Sequence, residues 1–239
     1  MELRAALPIR DNGAMPSAAR PPLLAAFLDV RGKAVVVVGG GEVAARKVRA
    51  LVRCGAKVSV VAPELCAALA VRARHGGIRH VARRFEEGDL AGAGMAVAAT
   101  NDASVNEAVA RAARELGILA NVADDAAQST FLMASVVERG PVQVSISTSG
   151  TSPALARRLR ARIEAAVPEG YGALAALAGR FRAEAIRRLP DPDARKRFWE
   201  RVMEGPVAAM ALEGREGEAR AALQHELDEA VKTAGHGRP

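Results

Sequence analysis

Aromatic residues are scarce in this chain of 239 residues, at 3% against 50% hydrophobic residues overall. Ala, Val and Leu supply the apolar content, which favours α/β layers and helical bundles over a β-sandwich. The net charge is +7, from 34 basic and 27 acidic residues. No aromatic interleaving, recognition-helix pattern or single basic tail accompanies that charge, so no nucleic-acid partner is expected. A polyanionic small molecule accounts for it equally well. Only two cysteines are present, Cys54 and Cys66. Their spacing fits neither a metal pair nor a redox motif, and both read as inert thiols of a reducing cytoplasm. No apolar run approaches the roughly 20 residues of a membrane span. The first 22 residues lack the apolar core of a signal peptide and read as a disordered tail, with Met15 as an alternative start. The expectation is a cytoplasmic protein, neither secreted nor membrane-bound. His75, His80, His225 and His236 are scattered, and no Ser-His-Asp set, P-loop or zinc site is visible, so no bound metal is expected.

What is present is concentrated in AVVVVGGGEVA, residues 34–44. A short buried-strand pattern leads into Gly39, Gly41 and Ala44, the three small positions of G-x-G-x-x-G/A. Gly39 permits the tight turn, Gly41 lets the backbone approach a pyrophosphate, and Ala44 lets the next helix pack close to the strand. That helix, amphipathic through Ala44, Val48, Leu51 and Val52, offers its free N–H groups and positive dipole end to the phosphates. Gly55 ends it.

Strands at 34–38, 57–62, 78–82, 95–99 and 118–122 alternate with helices at 42–54, 64–74 and 102–116, the rhythm of a Rossmann-type doubly wound parallel sheet. A further strand pair, 134–138 and 142–148, turns at Arg139-Gly140-Pro141. Beyond Ser152 the pattern is helical: 153–166, 170–189, 192–204 and 215–232, interrupted at Pro190-Asp191-Pro192 and Gly205-Pro206. The expected organisation is a tail (1–22), a dinucleotide domain (23–132), a small central α/β unit (133–163), a helical domain (164–234) and a second tail (235–239).

Ligands of such sheets sit at the carboxyl ends of the strands. After the second strand come Pro63 and Glu64, where an acid would meet the ribose hydroxyls. No arginine stands there to welcome a 2′-phosphate, which favours NAD over NADP. After the fourth strand, Thr100-Asn101-Asp102 either bounds the nicotinamide side or caps the next helix. After the fifth, Asp124 and Asp125 point in different directions, and one of them is either a general base or a solvated loop acid. The hydroxyl-rich turn 145–153, with Thr148 and Ser152, either binds an anion or caps its helix. Arg157, Arg158, Arg160 and Arg162 follow it, as a solvated face or as partners for carboxylates.

Taken together, VVVVGGGEVAARKVRALVRCGAKVSVVAP, AATNDASVN, ILANVADDAAQSTFLMASVVERGPVQVSIST and SGTSPALARRLR resemble the precorrin-2 dehydrogenase/sirohydrochlorin ferrochelatase family, the N-terminal half of siroheme synthases. The likeness runs from Leu23 to Arg162 and continues more loosely through Arg197-Phe198-Trp199-Glu200. It implies a homodimer with Rossmann, central and helical dimerisation domains. It also implies NAD-dependent oxidation of precorrin-2 to sirohydrochlorin, followed in some members by insertion of ferrous iron and in others not. The family's NAD contacts fall on Glu42, Val43, Pro63 and Glu64, and its key aspartate on Asp124, which we take as the catalytic residue. A tetrapyrrole bearing eight carboxylates suits the arginine-rich helix, with Thr148, Ser152 and Arg157 as substrate contacts. Two positions depart from the family pattern: Ala134 replaces a proline and Ser149 a glycine. The fused enzymes carry a methyltransferase domain further on, and here methylation is expected of another protein. The rival readings are a different NAD enzyme and a nucleotide-sensing regulatory module. The latter predicts an acid at the end of the second strand, where this chain has Val61-Ala62-Pro63.

Overall fold

Short runs of valine and alanine become strands because β-branched side chains pack well on a pleated surface and leave no polar group to satisfy. The computed structural model describes residues 23–235 of the chain, so both expected tails lie essentially outside it. The chain divides into two compact units, 1–131 and 132–239.

In the first unit five strands, β1 (Ala34–Val38), β2 (Lys57–Val61), β3 (Arg79–Val81), β4 (Met95–Ala98) and β5 (Leu119–Val122), form one sheet in the order β3-β2-β1-β4-β5. Every pairing is parallel. Helices α1 (Glu42–Arg53), α2 (Ala67–Arg74) and α3 (Ala103–Glu115) make the crossovers. The strand order reverses between β1 and β4, the switch point at which such sheets open a crevice. Alternating strand residues serve the two faces. Val36, Val38, Ala96, Ala98, Ala120 and Val122 pack with Val109, Ala110 and Ala113 of α3. The small side chains let helix and sheet approach closely. This is the Rossmann-type α/β fold that the sequence pattern implies.

Most strand and helix ends lie within a few residues of expectation, and three of the differences have a visible reason. α2 begins at Ala67 rather than 64, because Cys66 N–H donates to the Gly40 carbonyl (2.7 Å) and holds the intervening residues as a loop. β7 stops at Ile146 rather than 148, because Thr148 is drawn into the next turn. A helix not foreseen at all, Pro206–Leu212, starts at the Gly205-Pro206 break, since proline at the first helical position is a start signal as well as an interruption.

The second unit opens with an antiparallel hairpin, β6 (Ser135–Arg139) and β7 (Val142–Ile146). Five helices follow: α4 (Pro153–Ala166), α5 (Gly170–Arg188), α6 (Pro192–Glu204), α7 (Pro206–Leu212) and α8 (Glu216–Gly235). Leu174, Leu177, Phe181, Leu189, Phe198, Val202, Leu223 and Leu227 build its core from α5 to α8. Arg139 ties the hairpin to the end of α4 by donating to the carbonyls of Val167 (2.9 Å) and Glu164 (3.2 Å). Among the described residues no helix is long and apolar enough to cross a membrane.

Candidate functional site

The first unit gathers nine of the sequence-selected residues at one edge of its sheet. Gly39, Gly41, Glu42 and Val43 follow β1, Pro63 and Glu64 follow β2, Thr100 and Asn101 follow β4, and Asp124 follows β5. The glycine loop divides its work differently from the motif alone. Gly39 has φ +120°, and a Cβ there would lie 2.3 Å from the Ala99 carbonyl oxygen. At Gly40 a Cβ would lie 1.8 Å from the Glu64 carbonyl oxygen, so this residue, which the motif leaves unspecified, is the most tightly packed of the three. At Gly41 nothing stands within 4 Å. That open side is where a pyrophosphate would approach. Gly41 is also the N-cap of α1 and supplies no side chain to that helix end, leaving the first-turn N–H groups to a ligand. Ala44 is fully buried, as close packing of α1 on the sheet requires. These residues fit a dinucleotide phosphate.

After β4, Asp102 is the helix cap: its carboxylate accepts from Ser104 N–H (2.9 Å) and Val105 N–H (3.3 Å) of α3. A bond from the Ser104 hydroxyl (2.6 Å), together with those two, holds its carboxyl below the usual aspartate range. Thr100 donates its hydroxyl to Asn106 Oδ1 (2.8 Å), which stiffens the loop. Asn101 is exposed and carries no part of the cap.

The two acids after β5 are separated by their environments. Asp125 accepts from Gln128 N–H (3.1 Å) and Gln128 Nε2 (2.9 Å), which lowers its pKa and commits it to its own turn. Asp124 is exposed, its carboxylate accepts no hydrogen bond among the described residues, and its backbone sits at φ +61°. A non-glycine residue in that region is held there by its surroundings. They are present: Ser129 Oγ donates to the Asp125 carbonyl (2.7 Å) and accepts from Val122 N–H (2.9 Å), and Thr130 Oγ1 accepts from Ala120 N–H (2.8 Å). The loop is stapled to its strand at both ends, and Asp124 projects from it.

Thr148, Ser152 and Arg157 belong to the second unit. Ser152 Oγ accepts from Leu155 N–H (3.2 Å) as the N-cap of α4, and the Thr148 hydroxyl donates to the Ser152 carbonyl (3.1 Å). Arg157 is exposed on α4. Ser149, at the family's glycine position, has φ +53°. Sequence reasoning missed Gly40 and a polar pair beneath the crevice, Lys47 and Asn121. The signals were a third consecutive glycine and two polar residues at buried positions.

Comparison with known proteins agrees with this geometry. An NAD(P)-binding family model matches residues 26–135, the sirohaem biosynthesis protein central model 139–166 and the sirohaem synthase dimerisation region model 170–227. The siroheme synthase of Nitrosospira multiformis is 46% identical over 206 residues, covering 84% of this chain and 44% of that protein. That of Chromobacterium violaceum is 46% identical over 201 residues, covering 84% and 43%. The chain thus spans less than half the length of these relatives. A solved structure titled SirC, precorrin-2 dehydrogenase, superposes with a TM-score of 0.69 at 25% identity, over 88% of this chain and all of that one. Fold and crevice together define a nicotinamide-dinucleotide-binding Rossmann protein joined to a dimerisation region. More narrowly, the chain belongs to the precorrin-2 dehydrogenase/sirohydrochlorin ferrochelatase family.

Proposed function

We propose that the chain oxidises precorrin-2 to sirohydrochlorin in siroheme synthesis, with NAD as its cofactor. The observation that carries this reading is the unbonded Asp124 carboxylate on a stapled loop at the end of β5, while Asp125 is consumed by its own turn. SirC, titled a precorrin-2 dehydrogenase, shares the fold over its whole length. Bound NAD supplies the hydride acceptor. Gly39, Gly41, Glu42 and Val43 hold its pyrophosphate at the N-terminus of α1, Pro63 and Glu64 border the adenosine ribose, and Thr100 and Asn101 bound the nicotinamide side. The Glu64 carboxylate, with no arginine beside it after β2, disfavours the 2′-phosphate of NADP. The oxidation releases a proton as well as a hydride, and Asp124 accepts that proton as general base.

The hydroxyls of Thr148 and Ser152 and the guanidinium of Arg157 meet the carboxylates of the macrocycle, in a homodimer organised as a dinucleotide domain (23–132), a central unit (133–163) and a helical domain (164–234). Ferrous iron, where inserted, is a substrate, and we place the protein in the cytoplasm.

Purified protein given precorrin-2 and NAD should form NADH together with the visible absorbance of sirohydrochlorin. Asp124→Asn keeps the size of the side chain and removes the base, so turnover should fall ~10²–10⁴-fold with NAD affinity nearly unchanged. Asp125→Asn should retain most activity. Absence of turnover in the wild type, or full turnover in Asp124→Asn, overturns the reading. The same reaction with ferrous iron added reads whether insertion follows.

A further inference from the structure

The loop after β4 is pinned by a residue one turn inside α3. Asn106 is half-buried, and its side chain reaches back towards the start of the helix, where its amide takes both peptide groups of Thr100. Asn106 Oδ1 accepts from Thr100 N–H (3.2 Å) and from the Thr100 hydroxyl (2.8 Å), while Asn106 Nδ2 donates to the Thr100 carbonyl (3.0 Å). The two backbone bonds fix which end of the amide faces which group. On the other side of Asn101, Asp102 caps α3, and its N–H donates to Thr100 Oγ1 (3.1 Å).

We propose that Asn106 is a positioning residue for the cofactor: it clamps Thr100 so that the exposed amide of Asn101 meets the carboxamide of the nicotinamide. Three observations support it. First, both neighbours of Asn101 are tied to the first turn of α3, yet its own side chain is exposed and makes no hydrogen bond among the described residues. A free amide on a fixed backbone costs little to order when a ligand arrives. Second, Asn106 occupies the Thr100 N–H and carbonyl, so Asn101 is the side chain of this loop left with both a donor and an acceptor, the pair that a carboxamide requires. Third, the loop stands across the switch point from Pro63 and Glu64, so a dinucleotide whose adenosine end lies after β2 brings its other end here. The glycine turn between them does not depend on the clamp. Gly39 packs on the Ala99 carbonyl, and Ala99 N–H donates to the Val38 carbonyl (2.8 Å). The inference rests on the placement of NAD proposed above.

The experiment compares the affinity of the full chain for NAD and for ADP-ribose, which lacks only the nicotinamide, by titration calorimetry. Asn106→Leu removes all three bonds to Thr100 and should weaken NAD about tenfold, while ADP-ribose changes by less than about twofold. Asn101→Leu should show the same split. The double variant should lose little more than either single one, because residues acting as a unit are non-additive. Asn106→Asp keeps the acceptor for the Thr100 N–H and hydroxyl and loses only the bond to the carbonyl, so its loss of NAD affinity should be smaller than that of Asn106→Leu.

Equal losses for NAD and ADP-ribose in Asn106→Leu, additive losses in the double variant, or wild-type NAD affinity in a folded Asn106→Leu protein each overturn the proposal and reduce Asn106 to a brace for α3. A wild type that binds neither ligand overturns the placement of NAD and the inference with it. A wild type that binds both ligands equally well overturns the inference alone. If Asn106→Leu does not fold, Asn106→Ala replaces it in the same comparison.

Discussion

The two units bury their residues in opposite styles. In the first, four of the five strands, β1, β2, β4 and β5, are buried along nearly their whole length, and α1 and α3 each press a full apolar face on the sheet. In the second, α4 buries no residue and the hairpin buries only Val137 and Ile146, while α5 to α8 close around their own core. Leu155, Tyr171, Ile186, Met203 and Leu212 remain exposed there. Burial of apolar surface is the main favourable term in folding. The first unit also leaves large apolar side chains exposed, Leu24, Phe27, Leu28 and Leu116 among them, so the contrast lies in how each core is built, and exposed apolar surface of this kind is what a second copy would cover. That Tyr171, Ile186, Met203 and Leu212 lie inside the matched dimerisation region, 170–227, supports the homodimer proposed above.

The largest expected effect contrasts the inside and outside of the helical unit. Leu223 is fully buried on α8, and Leu223→Ala should cost ~2–5 kcal/mol of stability through lost transfer energy and a cavity. Ile186 is 50% exposed, so Ile186→Glu should leave the fold intact yet shift light scattering towards monomer. A monodisperse, monomeric wild type contradicts the homodimer outright.

Next comes the same contrast inside the glycine loop. Gly40→Ala drives a Cβ into the Glu64 carbonyl oxygen and should destabilise the first unit by roughly 1–3 kcal/mol or more, read by thermal unfolding. Gly41→Asp meets open space, so its melting should stay near wild type while NAD affinity by calorimetry collapses, since it puts a negative charge where the pyrophosphate must sit. Unchanged affinity in a folded Gly41→Asp protein removes the proposed phosphate site.

These pairs show what local sequence could and could not deliver. The runs AVVVV, KVSVV and MAVA declare buried strands by composition alone, and Ser152-Pro153 declares a helix start. Such signals are written within a few residues. The crowding at Gly40 was not legible because it depends on Glu64, brought close by the β1–β2 pairing. Nor was the Lys47–Asn121 bond, since nothing in the helix period reveals what lies two strands away. Spacing alone could not separate Asp124 from Asp125; the family resemblance chose Asp124, and the physical difference, which of the two Gln128 binds, lies in the loop's own fold. α7 was hidden because Gly205-Pro206 reads equally as an end and as a start.

A smaller effect concerns Ser149, a strained residue of the second unit. Ser149 adopts φ +53°, where a side chain crowds the backbone and glycine does not. Ser149→Gly should raise stability by about 0.5–1 kcal/mol, partly offset by the greater freedom of glycine in the unfolded chain. A lower melting temperature would mean that the freedom of glycine in the unfolded chain outweighs the relief of strain, since the bond from Ser149 N–H to Ser147 Oγ (3.1 Å) uses the backbone and survives the change.

The smallest effect is electrostatic and appears only against pH. In the first unit Arg83 grips Asp89 through both guanidinium nitrogens, at 2.8 and 2.6 Å, and Asp89 also accepts from Glu86 N–H (2.9 Å). In the second, Arg188 meets Asp228 at 2.8 Å on an open helix surface. Both carboxyls are held below the usual aspartate range, chiefly by the arginine. A carboxyl whose folded pKa is depressed binds fewer protons than in the unfolded chain, so it contributes stability above the unfolded value of ~3.9, lost as pH falls through the folded value. Arg83→Gln should therefore lower the melting temperature slightly at pH 7, because solvent screens the pair, and the deficit should shrink below about pH 4. Arg188→Gln should follow the same pH course with a smaller amplitude, because Asp228 organises no backbone turn as Asp89 does at Glu86. Equal deficits in the two variants would remove the difference between the two pairs, and a deficit that grows on acidification would show that the arginines do not hold these carboxyls down in the folded chain.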